Sequence, residues 1–282
     1  MIPLVHRIIR LRYRKLGFRS SSVSLDRFTI HSVQSACDSS HPPILFLHGL
    51  GTSSSTWVRI MPELARDRNV LAIDLPGFGL STIDRGMPVA SFDELVELTS
   101  SYLQNRSAAP VTLIGHSLGG WIAGKIATRH ASVVGRLILM NPAGVYTPDV
   151  DRLAALFDAR KTSDVAALLD MMWYHFPWYY SLFLRSIRKD LTRRRIGEFV
   201  RSIVRTNFLS EELGALPIQT SLIWGENDRL LPRETVSTLA RWIPGLQISF
   251  IPKCGHIPQL EAPHRCARVV LNHLDGRFDA VV

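Results

Sequence analysis

Val111-Thr112-Leu113-Ile114-Gly115-His116-Ser117-Leu118-Gly119-Gly120 decides the fold: a short apolar run stops at a glycine-flanked serine, and Leu118 to Arg129 reads on as a helix. An apolar run without polar alternation fits a strand buried on both faces. Gly115 to Gly119 matches G-x-S-x-G. A sharp strand-to-helix turn crowds its neighbours while it projects the serine hydroxyl outward, so glycine is needed on either side. Gly120 extends the small-residue run and lets the helix pack near the strands. The bland reading is a plain glycine turn; the strand–turn–helix setting favours a nucleophile.

Working outward, similar runs recur at Ile44 to Leu47, Val70 to Leu75, Leu137 to Met140, Ser221 to Gly225 and Gln247 to Ile251. Helical segments lie between them at Ser54 to Leu64, Phe92 to Leu103, Glu234 to Ala240 and Pro263 to Leu274. Such alternation predicts an α/β protein with a mostly parallel sheet covered on both faces. Ser24 to Val33 alternates and predicts an antiparallel edge hairpin. Between Gly144 and Leu216 no buried strand is legible, so residues 144–216 are assigned as a helical cap on a core made of residues 23–143 and 217–282, with 1–22 a basic N-terminal segment.

The chain has 282 residues, 46 % of them hydrophobic and 20 % charged, which suits one large core and argues against disorder. Cys37, Cys254 and Cys266 show no CxxC spacing, so neither a disulfide framework nor a zinc knuckle is expected and a reducing compartment fits. No apolar run long enough for a signal-peptide core or a spanning helix is present, and the expected location is cytoplasmic. The formal charge of +9 is concentrated in residues 1–20 and 185–205, the latter including Arg193-Arg194-Arg195. Nucleic acid, an anionic membrane surface or anionic substrates would each answer to such segments, but no nucleic-acid recognition motif accompanies them. Most charge runs are solvated helix faces. On a helix, Ile2, Val5, Ile9 and Leu16 share one side and Arg7, Arg10 and Arg14 the other, with Arg12 and Lys15 inside the apolar arc; this predicts peripheral contact with anionic lipid.

A serine hydroxyl needs a base, and the base an orienting acid. Among ten histidines, His256 follows the last strand in Lys253-Cys254-Gly255-His256-Ile257-Pro258. Asp228 lies just past the preceding strand in Trp224-Gly225-Glu226-Asn227-Asp228, with Glu226 as the rival acid. The order Ser117, Asp228, His256 is the one expected when all three sit on carboxyl-end loops of one sheet. Oxyanion donors are expected from the backbone N–H of Leu118 and, within His48-Gly49-Leu50-Gly51, of Leu50. Neither a metal nor a cofactor is required.

These segments, together with Asp74-Leu75-Pro76-Gly77-Phe78-Gly79-Leu80-Ser81, resemble in order the signature segments of the α/β-hydrolase superfamily from about residue 23 to 275. The resemblance implies a mostly parallel eight-stranded sheet with an inserted helical cap, and makes Asp74 to Ser81 a structural turn near the site. Asn141-Pro142-Ala143-Gly144 leading into the cap is similar to the carboxylesterase and monoacylglycerol-lipase branch, whereas the serine at 117 argues against haloalkane dehalogenases, which carry an aspartate there. The expected substrate is a small-molecule ester or lipid. Trp173, Phe176 and Trp178 either line an acyl pocket or form the cap's own core. The rival readings are a carbon–carbon bond hydrolase or cofactor-free perhydrolase on the same three residues, and a non-catalytic ligand-binding protein.

Overall fold

In a computed structural model, which describes residues 2–35, 37, 39–107, 109–157, 159, 161–193 and 195–277, the chain forms one sheet between two helical layers. The strands are β1 (Arg19–Leu25), β2 (Phe28–Gln34), β3 (Ile44–Leu47), β4 (Val70–Ile73), β5 (Thr82–Ile83), β6 (Val111–His116), β7 (Val134–Met140), β8 (Gln219–Gly225) and β9 (Gln247–Ile251). Their spatial order is β1-β2-β4-β3-β6-β7-β8-β9, with the two-residue β5 paired to β2. The ladders from β4 through β9 are parallel, and those made by β2 are antiparallel. The sheet thus has a ninth strand beyond the expected eight. The predicted hairpin is present, but only β1 is an edge, since β2 pairs onward with β4.

Side chains alternate across this sheet and divide the core in two. Leu45, Leu47, Leu113, Leu137, Leu139 and Leu222 face a layer that includes α3 (Phe92–Gln104), α4 (Leu118–Arg129) and α9 (Glu234–Trp242). Ile44, Phe46, Ile114, Ile138, Met140 and Ile223 face Trp57, α2 (Met61–Leu64) and α11 (Pro263–Leu274). Burial on both faces is why these strands read as uninterrupted apolar runs rather than alternating ones. Helix α3 starts with a capping box, in which Ser91 Oγ accepts from the Glu94 N–H at 3.2 Å and the Glu94 carboxylate accepts from the Ser91 N–H at 2.8 Å.

Three segments depart from expectation. The helix expected over Ser54 to Leu64 breaks into a 3-10 turn, Ser54–Trp57, and the short α2. Pro62 lacks the N–H that a continuous helix would need there, and the Asp74 carboxylate draws the Ser54 N–H into a bond of 2.6 Å. Arg19 to Ser22, placed in the basic N-terminal segment, belong to β1. Of the rest, Ile2–Lys15 form α1; on the side read as apolar, Ile9 is half-buried against the second core and Leu16, just past the helix, is exposed, while buried Tyr13 donates to the Ser54 carbonyl oxygen at 2.8 Å. The Ile2 and Val5 side chains and Arg194 lie outside the described residues.

Residues 144–216 contain α5 (Val150–Leu156), α6 (Thr162–Met172), α7 (Leu184–Arg193) and α8 (Ile196–Arg201), with 3-10 turns at 178–183, 205–207 and 211–215 and no strand among the described residues. No helix among the described residues is long and apolar enough to cross a membrane.

The chain crosses from β3 to β4 on one side and reaches β6 on the other, so the strand order reverses beside β3. In an open parallel sheet the carboxyl ends at such a reversal frame a crevice. Beneath it, Asp74 ties the neighbouring turns together by accepting from the N–H groups of Ser54 (2.6 Å) and Leu80 (2.7 Å) and from His31 Nδ1 (2.9 Å). Burial alone would raise this carboxyl, but the His31 bond, the nearby imidazoles and the Leu80 amide outweigh it and hold its pKa at about 2. A depressed carboxylate stabilises the fold above its unfolded pKa, and the gain is lost as pH falls through the folded value. Asp74→Asn should therefore lower the unfolding free energy at neutral pH by roughly 2 kcal/mol, with the deficit shrinking toward pH ~2; urea titrations across the acid range measure both.

Candidate active site

The turn from β6 to α4 holds Ser117 at φ 53°, ψ −118°, a left-handed conformation that a non-glycine residue adopts only where its surroundings impose it. Packing imposes it here. A Cβ on Gly115 would lie 2.2 Å from the Gly119 carbonyl oxygen, and one on Gly119 would lie 2.2 Å from the Leu47 carbonyl oxygen. The G-x-S-x-G spacing thus permits α4 to rest directly on β3 and β6, and the Ser117 N–H is anchored to the Met140 carbonyl at 3.1 Å.

Residues far apart in sequence meet at this hydroxyl. Ser117 Oγ donates to His256 Nε2 at 2.9 Å, and His256 Nδ1 donates to Asp228 Oδ2 at 2.8 Å. An ionised carboxylate only accepts, which puts the imidazole proton on Nδ1 and leaves Nε2 free to take the serine proton. Asp228 Oδ1 also accepts from the N–H groups of Leu230 (2.8 Å) and Leu231 (3.0 Å). Burial works to raise this carboxyl, but His256, the Leu231 N–H and the Asn141 amide hold it below the ordinary range, so it stays ionised. Glu226 is exposed, and its N–H serves the ladder by donating to the Ile251 carbonyl oxygen at 3.0 Å.

Leu118 opens α4, where the first N–H groups lack intrahelical acceptors and the helix dipole favours negative charge. Leu50 and Leu118 line the same cavity as Ser117. The loop that carries Leu50 is latched by His48, whose Nδ1 donates to the Gly49 carbonyl at 2.8 Å while Nε2 accepts from the Leu75 N–H at 2.9 Å. Thr52 Oγ1 donates to the same Gly49 carbonyl at 2.7 Å. His116 is buried beside the base and donates Nε2–H to the His256 carbonyl at 2.7 Å. Burial, reinforced by the His256 charge, lowers its pKa to about 3, so it stays neutral while it holds that backbone.

The sequence pattern gave no role to two further side chains. Asn141, fully buried after β7, donates to Asp228 Oδ2 at 2.7 Å and accepts from the Gly225 N–H at 3.1 Å. Glu261, at the end of α10 (Pro258–Glu261), accepts from the N–H groups of Gly255 (2.7 Å), Tyr174 (2.8 Å) and His175 (3.0 Å). It therefore clamps the end of α6 in the cap to the His256 loop, a joint that the His256 N–H reinforces by bonding to the Met172 carbonyl at 2.7 Å. Arg229 secures the acid loop to the same place by donating to the Asp170 and Trp173 carbonyl oxygens.

The serine opens on a cavity of about 340 Å³ whose walls are mainly apolar: Trp121 and Phe208 to one side, Phe157, Phe199 and Ile203 from the cap, and Leu231 beyond the acid loop. Trp173, Phe176 and Trp178 do not line it. Trp173 is buried against Tyr180, Phe176 also packs near Tyr180, and Trp178 is largely exposed. The physical reason is the clamp: it draws the start of the aromatic run over the His256 loop, and the remainder passes along the outside of the cap. Much of the basic run is spent on local contacts, with Arg193 on Asp190, Arg195 on Glu198, and Arg205 stacked 3.6 Å above the Tyr146 ring at the cavity rim. No cluster of three or more His, Cys, Asp or Glu able to hold a metal occurs among the described residues.

Glu261→Gln replaces one acceptor oxygen with a donor that faces backbone donors. It should lower kcat by about ten- to a hundredfold through misplacement of His256, with KM little changed. Steady-state kinetics on a turned-over substrate, with Glu261→Asp as the partly restoring variant, make the measurement.

Known proteins share this architecture. A 2-hydroxymuconate semialdehyde hydrolase of Pseudomonas sp. (strain CF600) is 29% identical over 249 residues, covering 81% of this chain and 85% of its own. The human monoacylglycerol lipase ABHD6 is 25% identical over 255 residues, covering 83% and 75%. Among solved structures, a bacterial membrane phospholipase A superposes with a TM-score of 0.84 at 25% identity, covering 99% of this chain and 93% of its own. The 2-hydroxy-6-oxo-6-phenylhexa-2,4-dienoate hydrolase BphD of Rhodococcus sp. strain RHA1 superposes at 0.78 with 22% identity, covering 92% and 99%. Residues 44–269 match the model of the alpha/beta hydrolase family, and the chain belongs to that family.

Proposed function

We propose that this hydrolase cleaves carboxylic esters of apolar acyl groups through an acyl-enzyme. Ser117 Oγ attacks the carbonyl carbon as His256 Nε2 takes its proton, and the imidazolium is stabilised by Asp228. The N–H groups of Leu50 and Leu118 receive the oxyanion. Collapse of the tetrahedral intermediate expels the alcohol, which takes the proton back from His256, and a water activated by the same imidazole then releases the acid. The observation that carries this reading is the Ser117–His256 bond of 2.9 Å opening onto the apolar cavity. A cavity of this size falls at the small end of known ligand sites, and its apolar walls suit a hydrocarbon chain. Similarity to a monoacylglycerol lipase supports the same substrate class.

A second reading, hydrolysis of a carbon–carbon bond beside a ketone, has the support of the 29% identity to the semialdehyde hydrolase. The two differ in what leaves: an alkoxide in one case, a carbanion equivalent that must itself be protonated in the other. A p-nitrophenyl ester series of increasing acyl length, run beside a vinylogous β-diketone acid, separates them by product. Hydrolysis of the esters without cleavage of the diketone supports the first reading, and the reverse overturns it.

Ser117→Ala should lower kcat for the best ester by about 10⁴- to 10⁶-fold; a rate near wild type refutes the nucleophile. His116, already neutral down to about pH 3, should contribute nothing to the pH dependence of activity near neutrality, which a pH–rate profile checks.

A further inference from the structure

Away from the cleft, exposed apolar side chains occur on the N-terminal helix and on the 178–183 turn, which helix α7 joins. Ile8 and Leu11 on α1 are 56% and 50% exposed, and Trp178, Tyr179 and Leu182 in the 178–183 turn are 75%, 47% and 65% exposed. Helix α7 touches both α1 and that turn. A soluble face seldom shows a tryptophan and several aliphatic side chains so fully to water without using them.

The charges around these side chains are mostly positive, and the one acid of α7, Asp190, is paired with Arg193. Helix α1 has no acid, and its exposed cations are Arg7, Arg10, Arg12, Arg14 and Lys15; α7 adds exposed Arg185 and Lys189. None of these seven is ion-paired among the described residues, whereas Arg193 and Arg195 are. Ile8 and Leu11 are three residues apart and share a face, with Lys15 one turn past Leu11 and Arg7 and Arg14 along its border. This is the opposite side from Ile9 and Tyr13, which face the core. Aliphatic tips between long cations, with an indole and a phenol alongside, match the boundary between lipid headgroups and acyl chains. Two aliphatic side chains on α1 make a small anchor, and the cap turn adds one leucine and two aromatic rings.

We propose that α1 and the 178–183 turn, joined through α7, form one docking surface for an anionic lipid bilayer. The five exposed apolar side chains enter the acyl–headgroup boundary, and the cations lie against lipid phosphates. The proposal is independent of which bond the enzyme cleaves.

Cosedimentation of the full chain with vesicles tests it. Wild type should pellet with phosphatidylcholine–phosphatidylglycerol vesicles at low salt, at least about tenfold more strongly than with phosphatidylcholine alone, and the difference should fade at high salt because each surface cation contributes about fivefold. The variants Ile8→Ser/Leu11→Ser and Trp178→Ser/Leu182→Ser should each weaken partitioning by about tenfold or more. Each should retain the wild-type thermal midpoint by circular dichroism, which reports the fold without reference to activity. Failure to pellet with the anionic vesicles overturns the proposal. So does a neutral result from either correctly folded pair, since the surface is claimed to be joint. Salt-dependent retention of duplex DNA without vesicle binding overturns it in favour of a different partner.

Discussion

The architecture depends on how closely one helix lies upon the sheet. At Gly119 the α4 backbone approaches β3 so nearly that a single methyl group would overlap the Leu47 carbonyl, and Gly115 is equally confined against α4 itself. This contact forces the left-handed turn at Ser117, from which α4 starts. Hydroxyl, helix terminus and the His48 loop are thereby held with respect to one another, the preorganisation that the proposed oxyanion role calls for. The strain at Ser117 is borne by the buried strands on either side, where β3 and β6 contribute no exposed residue.

A second set of contacts joins the cap to the chemistry. The cap does not merely cover the crevice, because Glu261, the Met172 carbonyl and Arg229 connect the end of α6 to both loops that flank the imidazole. The apolar face of the cavity comes instead from the other end of the cap, around Phe199 and Ile203. One portion of residues 144–216 thus braces the His256 loop and another shapes the space in front of Ser117.

Much of this was legible in the residues. The strands Ile44–Leu47 and Gln247–Ile251 and the helices Leu118–Arg129 and Pro263–Leu274 have the limits that their apolar runs and flanking breakers indicate. β7 begins three residues earlier than Leu137, because Gly135 and the half-buried Arg136 interrupt its apolar signal. Chain order pointed to Ser117, Asp228 and His256, since loops at one end of a parallel sheet converge whatever their spacing in sequence. Asn141 and Glu261 were not legible as positioning residues, because their partners are mostly backbone N–H groups of distant loops, and a hydropathy pattern says nothing about which amides a fold leaves unpaired. The polar side chain directly after a buried strand was the available hint for Asn141. The aromatic run misled for a related reason: bulk and apolarity do not reveal direction, and the clamp carries Trp173 away from the cavity while Trp178 turns to solvent.

The division of the cavity wall has a consequence for how such an enzyme can diversify. Phe199, Ile203 and Phe208 project from a stretch that supplies no atom to the Ser117–His256–Asp228 relay. Exchanging those side chains for larger or smaller ones alters the shape offered to a ligand while the proton path keeps its geometry. On the proposed mechanism, selectivity and reactivity are therefore separable traits, free to drift at different rates under different pressures.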